Sequence, residues 1–472
     1  MLLTAIIIYI LITVAIGAWS SKLVKNSNDF VLAGRQLPLA LSASALFATW
    51  FGSETIFGAS SEYLDHGLQG VIEDPFGGAL CLILFGVFYL RPMYRMKVLT
   101  IGDVYKKIFG KRVEFFASIF MIPPYFGYVA AQLVALSLIF SSISDISISM
   151  GIVLSAGIVV FYTFLGGMWA ISITDFIQTT LIVVGLIWVA ILVSQKAGGV
   201  MPILEAAPEG SFTFFPEPRP TAWINYLGAW AILGLGSIPS QDIYQRVMSA
   251  KSERVAIRST YLAGTFYVTI GLLPLFIALA AKHLYPEIYL ENKQLLLPEM
   301  VLRHSGIHVQ ILFFGALISA IMSTTSSGLL APSAIISENL IKPYFGRKLK
   351  DKHFLWILRI NIITVAIIAT LMAQWKTNIY ELVADASILM LVSLFVPLTA
   401  GLYWKRASEM GALMSIVFGM ISFLVLSIYD LQIYPHMPAL MISAIFMVLG
   451  SYIFPNKKTT HAFISKNPST QE

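Results

Sequence analysis

A chain of 472 residues that is 57% hydrophobic and only 12% charged, with a mean hydropathy of +0.79, lies outside the range of soluble globular proteins. Its single cysteine, Cys81, permits no intrachain disulfide and no cysteine-ligated metal centre, so thiol redox and zinc chemistry drop out. A net charge of +6 would suggest nucleic acid in a soluble protein; here the basic residues follow membrane topology instead, and no nucleic-acid partner is expected.

Apolar runs of about 20 residues recur along the whole chain, each long enough to cross a lipid bilayer as a helix. The sequence predicts an all-α integral membrane protein of about thirteen spans, at 2–19, 38–62, 68–90, 113–141, 146–165, 169–194, 221–245, 257–282, 306–340, 354–374, 380–404, 409–429 and 434–455. The first run has no positive charge before it, and Lys22 and Lys25 follow it, the reverse of a secretory signal. That places the N-terminus outside and the C-terminus in the cytoplasm of a cell-membrane protein. Of the 31 Lys and Arg residues, 24 then fall in cytoplasmic segments (20–37, 91–112, 246–258, 342–352, 405–406 and the tail). Six lie outside (Lys196, Arg219, Lys282, Lys293, Arg303 and Lys376), and Arg359 is within a helix. The outer loops near 195–220 and 283–305 are too short to fold alone, so the chain reads as one membrane domain, 1–472, with a polar, disordered tail over 456–472.

The second span is interrupted. Within ALFATWFGSETIFG (45–58), Gly52, Ser53, Glu54 and Thr55 sit in an apolar helix, where an unpaired Glu54 costs roughly 2.5–3.5 kcal/mol or more. Glycine and small hydroxyl residues let the backbone open and turn its carbonyls toward a ligand, although a simple kink with Glu54 bonded to a neighbouring helix is the plainer alternative. In the third span Glu73 and Asp74 precede Pro75, adding negative charge that could serve a cationic solute or merely sit hydrated near the outer surface. Asp175 and Gln178, three apart at the start of the sixth span, share a helix face. The seventh span is broken too, by Gly234, Gly236 and Pro239 in GLGSIPSQD. Five spans separate the two breaks, which is the pattern of an inverted repeat with its site at the repeat interface. The halves would be 38–194 and 221–404, with the N-terminal helix and loop (1–37) and two C-terminal helices (409–455) as additions.

In the ninth span Ser319, Ser323, Thr324, Thr325, Ser326 and Ser327 crowd about two turns. Hydroxyls at Ser323 and Thr324 facing an opened helix would form an all-oxygen set suited to a hard cation, with close helix packing as the alternative. Trp50 and Glu54, four apart, would present an aromatic face and a carboxylate on one side of a continuous helix, a pair suited to an amine or quaternary ammonium.

Four segments carry a specific resemblance: DFVLAGRQLP (29–38), GGMWAISITDFIQ (166–178), QDIYQRVMSAKS (241–252) and IMSTTSS (321–327). In this order they resemble the sodium:solute symporter family. The resemblance implies a LeuT-like inverted five-helix repeat with one extra N-terminal and two extra C-terminal helices, and import of a small organic solute driven by sodium. It assigns the sodium site to the carbonyls of Ala48, Phe51 and Ala320 and the hydroxyls of Ser323 and Thr324, with Asp175 nearby; a carboxylate there offsets the charge of an ion held by neutral oxygens. TWFGSE (49–54) and GSIPSQ (236–241) resemble the family's choline transporter branch, from which the chain departs at Ser240, where that branch has tryptophan. Candidate solute contacts are Trp50, Glu54, Thr55, Tyr128, Ser237, Ser240 and Gln241. Rival readings are an intramembrane enzyme, a channel, a solute sensor acting through a partner and a proton-coupled symporter. No HExxH motif appears, and all seven histidines fall in loops, the tail or near span ends, which disfavours the enzyme. Oligomeric state is left open.

Overall fold

The computed structural model describes residues 1–291, 293–345, 350–375 and 378–456. The expected tail beyond 456, with Lys457, Lys458, His461 and Lys466, and the loop residues Arg347, Lys348 and Lys376 lie outside the described residues.

Helices account for nearly all of the described structure, and ten helical stretches are long and apolar enough to cross a membrane. The thirteen expected spans reconcile with that number through breaks and mergers. One stretch, Glu54–Met96, carries the second half of one span and all of the next, and Ile148–Lys196 carries two spans joined at Gly167. Gly167 has φ +52°, and a Cβ there would lie 2.5 Å from the Phe30 carbonyl, so only glycine fits the corner. The seventh span is two short helices, Pro220–Gly236 and Gln241–Ser249.

Apolar side chains cover the periphery as well as the interior. On the first span, Leu2–Ser20, only Ile6, Thr13, Gly17 and Ser20 are buried, while Ile7, Ile8, Leu11 and Ile12 face outward. Leu227, Phe161, Trp188, Trp356, Ile367 and Leu371 extend this girdle over other spans. Hydrocarbon, not water, is the solvent that such a surface fits.

At the centre runs the ninth span, Ile307–Ile335, buried without interruption from Ala316 to Ile335. Packed against it are the second span, the kinked fifth and sixth spans, and the fourth, Pro123–Ile143. The first span is tied in by Tyr9, whose hydroxyl meets Ser319 Oγ at 2.5 Å and accepts from Gln178 Nε2 at 3.3 Å. At one end of the bundle the chain is sealed. Leu37 N–H donates to Ser249 O at 3.0 Å, Lys251 N–H donates to Leu37 O at 3.0 Å, and the Tyr94 hydroxyl donates to Ala250 O at 2.8 Å. The opposite end opens into a vestibule of about 1160 Å³ lined by Glu62, Glu73, Glu209, Tyr226, Tyr380 and Asp385 among others.

Candidate solute and cation site

The second span leaves helical geometry where its sequence weakens. Leu39–Trp50 is α-helical, Phe51 has φ −74° and ψ 77°, and the chain resumes as a wide turn over Glu54–Gly58. Carbonyls freed at a helix end need partners, and here most of them come from other spans. Ala45 O accepts from Arg246 Nε at 3.0 Å. Ala48 O lies 3.1 Å from Ser323 Oγ and 3.2 Å from Thr324 Oγ1. Thr49 O accepts from the Tyr128 hydroxyl at 2.7 Å, and Trp50 O accepts from Gly52 N–H at 2.8 Å.

Around Ala48 the oxygens outnumber the hydrogens. Thr324 Oγ1 is also 3.0 Å from Ala320 O, and Ser323 Oγ is 2.5 Å from Asp175 Oδ1. Two hydroxyl hydrogens thus face two carbonyls and a fully buried carboxylate. An excess of acceptors in a dry site is the electrostatic signature of a place for a cation. The structure therefore brings together Ala48, Asp175, Ala320, Ser323 and Thr324, with Phe51 next in the chain at the break. Of the remaining ninth-span hydroxyls, Thr325, Ser326 and Ser327 bond carbonyls of their own helix.

One charge here is misplaced by the sequence reading. Arg246, expected in a cytoplasmic loop, is fully buried; it stands 3.9 Å from Asp175 Oδ2, donates to Ala45 O and bonds Ser327 Oγ. It cannot snorkel to water because the helix Gln241–Ser249 turns inward after the break at Pro239. The signal for this was local: Asp242 and Arg246 are four apart, so both point off one face of that helix.

A second cavity adjoins the break on its other side, lined by Trp50, Glu54, Tyr125, Tyr128, Leu233, Ser237, Ser240, Asp242 and Met390 with a few neighbours. Trp50 and Glu54 do not share a helix face as expected, since the helix ends between them, yet both reach this cavity. It is narrow, with about 20 Å³ of open space, and lies beneath the vestibule. Tyr128, Ser237 and Ser240 line it as the sequence suggested, and the Ser240 hydroxyl is buried with no partner among the described residues. Two expected contacts do not. Thr55 turns away to meet the Tyr267 hydroxyl at 2.9 Å, because the break rotates it behind the wall. Gln241 points its Oε1 to Ile101 N–H at 2.8 Å, fastening the half-helix toward the sealed end.

Asp242, Tyr125 and Gln132 complete the cavity's polar framework and escaped the sequence reading. Asp242 Oδ2 accepts from Trp50 Nε1 at 2.8 Å and Oδ1 from the Tyr125 hydroxyl at 2.9 Å, so this carboxylate fixes two aromatic rings. The Tyr125 oxygen in turn accepts the N–H groups of Gln241 and Asp242, at 2.8 and 3.1 Å, capping the half-helix. A lone acid after Pro239 and a lone glutamine in VAAQLVAL were the available signals.

The profile of the sodium:solute symporter family matches residues 30–419. The chain belongs to that family. Among the relatives of this symporter-family chain, the high-affinity choline transporter 1 of Drosophila melanogaster is 29% identical over 421 residues, covering 85% of this chain and 67% of the relative. The human high affinity choline transporter 1 is 27% identical, covering 89% and 75%. The high-affinity proline transporter PutP of Bacillus subtilis (strain 168) is 28% identical, covering 86% and 87%. The fold resembles a sodium-coupled sialic acid symporter in a substrate-bound, outward-open state, with a TM-score of 0.84 at 21% identity over 97% of this chain and 98% of that one. It also resembles a nucleobase-cation-symport-1 family transporter in a closed conformation, with a TM-score of 0.61 at 17% identity over 90% and 95%. The LeuT-like architecture of a multi-pass membrane transporter follows.

Proposed function

We propose that this symporter couples sodium entry to import of a small cationic or zwitterionic organic solute: an amine, a choline-like compound or an amino acid. One observation carries the reading. A single unwound segment offers the Ala48 carbonyl to the Ser323–Thr324–Asp175 set on one side and Trp50 and Glu54 to a tyrosine-walled cavity on the other. A cation at the first position fixes the shape of the second, which is thermodynamic coupling between two ligands. Indole and phenol faces with a carboxylate suit a positively charged nitrogen.

In this reading sodium is held by the carbonyls of Ala48, Phe51 and Ala320 and the hydroxyls of Ser323 and Thr324. Asp175 compensates its charge. Trp50, Glu54, Tyr125, Tyr128, Ser237 and Ser240 take the solute, and Asp242 orients the rings. The basic loops set the N-terminus outside the cell membrane and the C-terminus in the cytoplasm, so the vestibule faces outward and the Leu37–Ala250 seal faces the cytoplasm. Purified protein in liposomes, offered candidate solutes, will accumulate one of them under an inward sodium gradient and lose that accumulation when the gradient is collapsed. Uptake that ignores sodium and follows a pH gradient would move the coupling ion to a proton.

A further inference from the structure

Behind the unwound segment, away from both the Ser323 set and the solute cavity, a second group of oxygens converges on Asp74. This carboxylate is 1% exposed. Its Oδ1 accepts from the Tyr267 hydroxyl at 2.6 Å. The same phenol oxygen is 3.0 Å from the Trp50 carbonyl and 2.9 Å from Thr55 Oγ1. Oδ2 has no hydrogen-bond partner among the described residues. Nor does a basic side chain among the described residues pair with it; the buried guanidinium of Arg246 is engaged by Asp175 and Ser327.

Hydrogens are in short supply around the carboxylate. Tyr267 and Thr55 supply one each, against two carboxylate oxygens and a carbonyl. A buried anion left in that state costs several kcal/mol, so the site calls for positive charge. A proton on Oδ1, donated to Tyr267, which then donates to the Trp50 carbonyl, would neutralise the carboxylate but still leave Oδ2 without a partner, whereas a cation can engage it. Four oxygens from the second, third and eighth spans, one of them anionic, match the preference of a small hard cation.

We propose that Asp74, Thr55, Tyr267 and the Trp50 carbonyl hold a second monovalent cation, distinct from the one at Ser323 and Thr324. The proposal rests on the sodium-coupled reading above. Trp50 and Thr55 flank the break, so occupancy of this position clamps the unwound segment from the side opposite to the first ion. It also accounts for Thr55, whose hydroxyl faces away from the solute cavity.

The test is equilibrium binding of radioactive sodium alone to the purified full-length protein, without solute. Wild type is expected to bind roughly two ions per chain and Asp74→Asn roughly one. Thr55→Val, which keeps the charge and the shape, is expected to weaken one of the two sites by about tenfold, and it serves where Asp74→Asn does not fold. The Ser323→Ala, Thr324→Ala double variant is expected to retain the ion at Asp74. Two ions retained in Asp74→Asn, or a single ion in wild type that only the Ser323 and Thr324 changes remove, overturns this inference and leaves the symporter reading intact. No sodium bound by wild type overturns both.

Discussion

Gln132 donates a side-chain N–H to Glu54 Oε2 at 2.7 Å and accepts the Ser53 backbone N–H on its Oε1 at 3.0 Å. One amide therefore holds the unwound turn to the fourth span by both its ends. The fourth span stays helical here, so the glutamine is a fixed post and the broken span is shaped around it. Replacing it by Gln132→Leu leaves a buried carboxylate and a buried N–H without partners, a loss of about 1–3 kcal/mol. Apparent solute affinity should fall about 10- to 100-fold, read from the concentration dependence of uptake. Unchanged affinity would show that Glu54 needs no positioning.

Gly52 tests how closely the two sites are joined. A Cβ on it would lie 2.7 Å from Thr324 Oγ1 and 2.8 Å from Gln132 Oε1, closer than real contacts allow. Gly52→Ala must displace one wall of the cation site and one of the solute site together. Sodium-driven uptake should drop by about tenfold or more. Gly157→Ala, where a Cβ meets nothing within 4 Å, is the matched control and should transport normally.

Oxygen removal at the cation site has a defined sign. Ser323→Ala together with Thr324→Ala removes both hydroxyls that face Ala48 O, and the sodium concentration for half-maximal uptake should rise by about tenfold or more. An unmoved sodium dependence would sink the assignment. Thermal stability without sodium should fall as well, because Asp175 Oδ1 and the Ala48 carbonyl lose buried donors.

Asp242 separates the contribution of ring position from that of ring surface. Trp50→Phe keeps an aromatic face but withdraws the indole N–H from Asp242 Oδ2. Solute affinity should fall by about 5- to 50-fold, with a smaller loss of stability than Tyr125→Phe, because one buried oxygen and no backbone group loses its partner. Tyr125→Phe removes the donor to Asp242 Oδ1 and the acceptor for two backbone N–H groups, so its melting temperature should fall as well. Equal thermal stability in the two variants would contradict the capping role of Tyr125.

Glu54→Gln addresses the charge of the solute. The amide preserves shape and can still bond Gln132, so uptake of cationic solutes should be lost while the fold persists. Normal uptake of a cation by this variant would return Glu54 to a structural role.

Much of the bundle was determined by the sequence itself. Hydrocarbon forbids an unpaired backbone, so apolar runs of bilayer length are read as helices, and the Gly-Ser-Glu-Thr insert and the glycines with Pro239 marked where two of them weaken. Those constraints are local, and they located the spans and both broken helices. What the tertiary structure alone decided is direction. Once a helix stops, at Trp50 in the second span or Gly236 in the seventh, residue spacing no longer says where a side chain points, and so Thr55 meets Tyr267 and Gln241 meets Ile101 instead of the solute cavity. Charge counting failed at Arg246 for the same reason, because a half-helix that turns inward carries its guanidinium to Asp175 and not to water. Partners of a freed backbone come from helices distant in sequence, and only their packing selects which hydrogen each oxygen receives.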